Sequence, residues 1–321
     1  MIGDEEKQDL GAVILAGGEG SRLRPLTRLI TGRDIPTQFC PLFGSITLLD
    51  QTRRRVSFAI PLRATVTVVT RSHECFYEPL MADTPPENAV AQPTNRGTAR
   101  AILYGLLKVA ESNPAATVAV FPSDHYVSAD VAFMPHVELA VKAVEVCPKK
   151  TVLLGVWPTT PEVSYGWIEG GERLRVLPPS LPIFQVRRFW EKPSRDLAFR
   201  LLKFDRMWWN TFVIVARLPT LLDLIMRALP KVCGSFIEAT SKLSRRFEPD
   251  LVNGLYEKLP SINLSDHVLA SNPMNLAVLP LSGLEWSDLG EPSRVTALLE
   301  HESRVFVRNG QSEKDSLLSA A

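Results

Sequence analysis

The stretch Leu15-Ala16-Gly17-Gly18-Glu19-Gly20-Ser21-Arg22-Leu23-Arg24 places three glycines within four positions and two arginines close behind them. Glycine lets a backbone turn sharply and approach a bound group with no Cβ in the way. Successive exposed N–H groups in such a loop make a concave anion site, and Arg22 and Arg24 add fixed positive charge. The predicted chemistry is the holding of a phosphate-rich ligand by Leu15, Ala16, Gly17, Gly18, Gly20, Ser21 and Arg22. A Walker loop is excluded, because Ser21-Arg22 follows Gly20 where Gly-Lys-Ser/Thr is required. A dinucleotide fingerprint is excluded as well, because Leu23 stands in place of its third glycine. For the glycines alone the alternative is a strand-to-helix turn with nothing bound.

Phe121-Pro122-Ser123-Asp124-His125 ends an apolar run with a carboxylate. Magnesium takes one or two carboxylates together with phosphate oxygens and water, so Asp124 is a candidate ligand. Its competing role is to cap the next turn. Adjacent residues of an extended segment point to opposite faces, so His125 is expected to be structural. Gln92-Pro93-Thr94-Asn95-Arg96-Gly97-Thr98 offers an amide donor and acceptor for a nucleobase edge, with a glycine that lets a backbone N–H come close. Gln92, Gly97 and Thr98 are its candidates. Lys192, before Pro193, is a compact ammonium able to neutralise a phosphate, although alone it reads more readily as a surface residue. Arg53-Arg54-Arg55 is expected to be a solvated helix face.

Short apolar runs alternate with helix-like segments and would position these residues. Strands are predicted at Ala12–Ala16, Ala64–Thr70, Asn88–Ala91, Thr117–Phe121 and Thr151–Trp157. Helices are predicted at Ile46–Ala59, His73–Met81, Thr98–Glu111 and Val131–Val146. Strands that are apolar throughout imply an α/β fold, a mostly parallel sheet covered on both faces. Its ligands sit beyond the carboxyl ends of the strands, where Gly17–Arg22, Gln92–Thr98 and Pro122–His125 all fall. After Trp157 the texture changes. Tyr165–Glu169, Arg173–Val176 and Phe184–Trp190 read as short strands of a small antiparallel layer laid over the sheet. Helices follow at Leu218–Leu229, Val232–Arg246 and near Leu251–Lys258, then a strand at Met274–Leu281. No element is assigned between Trp190 and Leu218.

The 321 residues, 45% hydrophobic and 22% charged, suit a globular chain long enough for one large domain. A net charge of +1 gives no basic field, which argues against a nucleic-acid partner. Cys40, Cys75, Cys147 and Cys233 lack CxxC spacing, so neither a zinc site nor a disulfide framework is expected. With no signal-peptide pattern and no apolar run of spanning length, no membrane association is expected and the cytoplasm is the expected location.

Gly17 to Thr27, ending Arg22-Leu23-Arg24-Pro25-Leu26-Thr27, resembles the first signature of the sugar-1-phosphate nucleotidyltransferases. Arg188-Phe189-Trp190-Glu191-Lys192-Pro193-Ser194 is similar to their second. The resemblance runs from about Ala12 to Gly290 in matching order. It implies a Rossmann-like sheet in a single nucleotidyltransferase domain, residues 1–308, whose antiparallel layer binds sugar, and leaves 309–321 as a polar tail. The hexapeptide β-helix that many members append has no counterpart. By the same resemblance Lys192 holds the sugar phosphate, and Gly166, Glu169 and Asn210 face the sugar. Asp288, in Trp286-Ser287-Asp288-Leu289-Gly290, shares Mg²⁺ with Asp124.

Within the family, Pro36-Thr37-Gln38-Phe39, Asn95-Arg96-Gly97-Thr98-Ala99, Tyr165–Glu169, Trp209-Asn210-Thr211 and Leu259-Pro260-Ser261-Ile262 look like mannose-1-phosphate guanylyltransferases. The reaction this implies is a single in-line displacement in which mannose 1-phosphate attacks the α-phosphorus of GTP. The attacking phosphate oxygen is already ionised, so no general base is required. Arg22, Asp124 and Lys192 would be the catalytic groups. Thr37 departs from the group, where lysine is usual; losing one preorganised donor costs about 3 kcal/mol, a hundredfold in rate. The competing readings are a uridylyl- or thymidylyltransferase acting on glucose 1-phosphate, and a non-catalytic nucleotide-sugar-binding regulator. Arg100, where proline is common, has no assigned consequence.

Overall fold

A computed structural model describes residues 9–178, 181–241, 254, 256 and 260–301. Leu-Gly-Ala-Val-Ile-Leu-Ala forms β1 (Leu10–Ala16), whose side chains are almost all buried on both faces. Val13 packs into one core layer while Ala12 and Ile14 pack into the other. Beside β1 lie β2 (Thr65–Thr70), β3 (Ala89–Gln92) and β4 (Thr117–Pro122), all parallel in the order β3-β2-β1-β4. Their carboxyl ends therefore share one edge, the edge the glycine-rich loop, the Gln92 loop and Asp124 occupy.

The sheet continues through β9 (Met207–Arg217), β6 (Thr151–Val156), β10 (Leu276–Pro280), β8 (Phe184–Glu191) and β7 (Gly166–Arg173). A separate ribbon pairs β5 (Tyr126–Val127) with β11 (Trp286–Ser287), which ties the Asp288 segment to the chain just after Asp124. Helices Leu48–Ser57 and Asp130–Val146 cover one face of the sheet, and Thr98–Ser112 and Leu218–Ala228 the other. Each fully buried Leu, Ile or Val on these faces contributes about 1.5–3 kcal/mol relative to exposure, so layer packing holds the helices in place.

Four details differ from the sequence reading. Met207–Arg217 is an eleven-residue strand lying antiparallel between β4 and β6. Before its terminal Arg217 the pattern is apolar except for Asn210-Thr211, and that polar pair hides the strand from a periodicity search. The antiparallel layer is not separate: β8 pairs with β10, and β7 pairs with the first half of β9, so it is an extension of the main sheet. Arg173–Val176 is the end of β7 and a turn rather than a strand. His73–Met81 breaks into a short α-helix, Glu74–Tyr77, between two 3₁₀ turns, because Pro79 cannot continue the helix. The end of the Val232–Arg246 prediction, most of Leu251–Lys258 and the 309–321 tail lie outside the described residues. No helix among the described residues is long and apolar enough to cross a membrane.

Candidate active site

The strand ends open onto a cleft of about 330 Å³. Leu15, Gly17, Gly18, Arg22, Gln92, Gly97, Thr98, Asp124, Gly166, Lys192, Asn210 and Asp288 all line it. These residues come from widely separated stretches of chain, gathered because the parallel strands end together and β9, running the other way, begins there.

The glycine-rich loop is held by its carbonyls. Gln38 Nε2 donates to the carbonyls of Ala16 (3.0 Å) and Gly18 (2.8 Å), and Thr70 Oγ1 donates to that of Gly17 (2.9 Å). In a trans peptide the following N–H points away from its carbonyl, so turning these carbonyls to protein donors aims the N–H groups of Gly17, Gly18 and Glu19 the other way. Gly20 adopts φ +57°, and a Cβ there would sit 2.7 Å from the backbone N of Thr37. Thr37 is thus buried directly beneath the loop and is not part of the cleft wall. Arg22, exposed at the rim, pairs with Glu291 at 2.7 Å.

Asp124 lines the cleft, its carboxylate 3.7 Å from His125 Nε2. Burial pushes its pKa up; His125 opposes the rise and the carboxylate of Asp288 adds to it. His125 packs edge-on against Trp286, with ring centroids 5.2 Å apart. Asp288 Oδ1 accepts from the N–H of Gly290 (2.9 Å) and from Arg294. Arg294 also pairs with Glu162 at 3.0 Å, donates to Ser164 Oγ and lies 4.4 Å from the centroid of the Tyr165 ring. Among the described residues no three His, Cys, Asp or Glu side chains form a metal cage. Two carboxylates facing one cleft are the sparse, hard-oxygen protein contribution that suits Mg²⁺ when phosphates and water complete the shell.

Lys192 takes φ +47°, unusual for a residue with a Cβ and costing about 1–2 kcal/mol. Its N–H donates to the carbonyl of Tyr165 (3.1 Å), and its half-exposed Nζ lies 3.7 Å from Glu191 Oε1. Phe212 (φ +60°) lines the same cleft, and Leu289 (φ +49°) directly follows Asp288. Backbone strain is therefore concentrated where the polar side chains converge. The carboxyl of Glu191 is pushed up by burial, against Lys192 and a hydrogen bond from Asn263 Nδ2 at 3.2 Å. Gly166 leaves this carboxylate room: a Cβ there would sit 3.0 Å from Glu191 Oε2. Gly97 has φ +90°, and a Cβ on it would collide with the carbonyl of Ile262. Ile262 in turn bonds Arg96 and Ala99 through its backbone.

Four predicted residues do not line the cleft. Ala16 is buried under the loop, Gly20 rests on Thr37, and Ser21 opens a short 3₁₀ turn on the exposed side. Glu169 lies in a different groove with Arg187, Arg188 and Trp190. It stands three residues beyond Gly166 on β7, and an odd offset on a strand reverses the face. Glu191, Asn263 and Ser265 line the cleft instead and were not singled out from sequence. Glu191 stood beside Lys192 in the quoted motif, whereas Asn263, Ser265 and Arg294 carry no local signal.

The sequence profile of the nucleotidyl transferase family matches residues 11–303. Similar proteins include the mannose-1-phosphate guanylyltransferase of Sinorhizobium fredii, 30% identical over 292 residues, covering 86% of this chain and 52% of that protein. The mannose-1-phosphate guanylyltransferase of Escherichia coli is 26% identical over 307 residues, covering 93% of this chain and 61% of that protein. The chain thus spans between half and two thirds of the length of these relatives. A crystal structure from Thermus thermophilus, described as a mannose-1-phosphate geranyltransferase, superposes with a TM-score of 0.75 at 29% identity, covering 88% of this chain and 76% of that one. Glucose-1-phosphate thymidylyltransferase and UDP-glucose pyrophosphorylase structures, at 17% and 14% identity, share the fold. The chain belongs to the nucleotidyl transferase family.

Proposed function

We propose that the cleft transfers a guanylyl group from GTP to mannose 1-phosphate, releasing pyrophosphate and forming GDP-mannose. The observation that carries this is the meeting of the glycine-rich loop, Arg22, Asp124, Lys192 and Asp288 around one cleft. Loop N–H groups and Arg22 hold the triphosphate. Lys192, presented by its strained backbone, holds the phosphate of the acceptor sugar so that its ionised oxygen lies in line with the α-phosphorus. Two polyanions must approach each other, so positioning and charge neutralisation carry the rate. Asp124 and Asp288 would hold Mg²⁺, which would supply further positive charge to the triphosphate. Gly97 and Thr98 flank the base with Gln92. Gly166, Asn210 and Glu191 form the sugar side, Glu191 taking the place expected of Glu169. The guanine and mannose preference is supported by the similarity to guanylyltransferases.

The test is pyrophosphate release across GTP, UTP and dTTP, each with mannose 1-phosphate and glucose 1-phosphate. GTP with mannose 1-phosphate is expected to be fastest. Faster turnover of UTP or dTTP with glucose 1-phosphate would overturn the assignment. Thr37 favours one other reading, a regulator, which tight GDP-mannose binding with no Mg²⁺-dependent turnover would establish.

A further inference from the structure

Gln92 belongs to a hydrogen-bond relay whose polarity has a single solution. Thr70 Oγ1 donates to the carbonyl of Gly17 at 2.9 Å. A carbonyl only accepts, so that bond uses the one proton of the hydroxyl. The same Oγ1 lies 3.0 Å from Gln92 Nε2 and must accept there. The amide nitrogen therefore faces Thr70, and Oε1 faces Tyr256, whose hydroxyl donates to it at 3.3 Å. The two ends of an amide are nearly identical in shape, and here a carbonyl of the phosphate loop dictates which end goes where.

The relay is buried and supported from behind. Gln92 and Tyr256 are each 1% exposed, and burial raises the phenol pKa, keeping its proton in place. Arg100, fully buried, stacks its guanidinium 5.7 Å from the Tyr256 ring centroid and donates to the carbonyl of Pro260. Its Nε and Nη1 find no acceptor among the described residues, so stacking and one carbonyl hold this arginine. The two ends of the Gln92 amide are not equivalent. A Cβ on Gly17 would collide with Nε2, which puts the donor end against a residue of the cleft wall. The acceptor end abuts Tyr256, which lies outside that wall.

We propose that Tyr256 and Thr70 are positioning residues that lock the Gln92 amide with its second N–H toward the base, selecting keto nucleobases over amino ones. Guanine presents a carbonyl acceptor at that edge, whereas adenine presents an amino donor, which would meet a donor. Uracil and thymine carry the same acceptor as guanine, so the relay excludes ATP and CTP and leaves the choice among keto bases to other contacts. The inference rests on Gln92 reading the base in the reaction proposed above.

Equilibrium binding of GTP and ATP to the full chain, by calorimetry, tests it without turnover. Wild type is expected to favour GTP. Tyr256→Phe removes the donor that holds Oε1, leaving the amide orientation to Thr70 alone, and should lower the GTP:ATP affinity ratio by up to about tenfold, the worth of one buried hydrogen bond. Thr70→Val should do the same, while Thr70→Ser, which restores the hydroxyl, should keep the ratio near wild type. A merely structural role would shift the melting temperature but not the ratio. If Tyr256→Phe does not fold, the Thr70 pair decides. An unchanged ratio in Thr70→Val, or an equal fall in Thr70→Ser, overturns the relay while leaving the transferase reading intact. Wild-type protein that binds neither nucleotide overturns that reading, and the relay with it.

Discussion

Lys192 shows how much a single position carries. Its backbone is strained, its side chain is half exposed, and its ionic neighbour is Glu191. Little of the fold's stability depends on that ammonium, and the same holds for the carboxylate of Asp124. Asp124→Ala and Lys192→Ala are each expected to reduce GDP-mannose formation at least a hundredfold, on the order of 3 kcal/mol, with melting temperatures unchanged. Full activity in either variant would dismiss the assignment. Thr37 lies buried beneath Gly20, so a lysine there would have to thread past the glycine-rich loop to bring its charge to the cleft. Thr37→Lys is expected to raise kcat, and a lower or equal kcat would count against that alignment. Glu191 makes the opposite kind of prediction. Its folded pKa is raised by burial, so folding disfavours the ionised form. Stability from the neutral carboxyl is present below the ordinary glutamate value and lost as pH climbs through the raised one. Glu191→Gln should therefore melt higher than wild type at pH 7, with the gap closing as pH falls through that window. A gap independent of pH would contradict this.

Among the elements, the important connection is made by a side chain with no motif around it. Arg294, in the helix over residues 292–301 that follows the Asp288 segment, joins that carboxylate to Glu162, Ser164 and Tyr165 in the loop before β7. It offsets the mutual repulsion of Glu162 and Asp288, and it occupies Oδ1 of Asp288 together with the Gly290 N–H. Groups that orient a metal ligand typically matter ten- to a hundredfold in metal affinity. Arg294→Met should weaken Mn²⁺ binding by about that factor, measured by electron paramagnetic resonance titration. Unaltered Mn²⁺ affinity would show that Asp288 needs no such support.

For the whole molecule, the cleft joins early and late parts of the chain. Its glycine-rich loop follows β1, while Asp288 comes after β10, and both segments also pack into the same core layer. A ligand touching both must stabilise the global fold rather than one half. At a hundred times its dissociation constant, a nucleotide bound only to the native state adds about 2.7 kcal/mol. GTP with Mg²⁺ should raise a single melting transition by several degrees in differential scanning fluorimetry. A split transition, with only one part shifting, would show that the halves fold independently.

The chemistry of the loop edge is written locally in the chain. Glycines at 17, 18 and 20, arginine at 22 and aspartate at 124 can be read one by one, because backbone freedom and charge are properties of single residues next to strand ends. The parallel half of the sheet was legible for the same reason: its strands are continuous apolar or β-branched runs, buried on both faces. The facing of residues in the antiparallel half emerged only from the folded chain. Glu169 and Gly166 differ by an odd step on β7, and that alone turns a predicted sugar contact into another groove. Folding also chose partners distant in sequence, such as Arg294 for Glu162 and Ser164 and Tyr256 for Gln92, since a side chain's neighbour across the fold leaves no periodic trace along the chain.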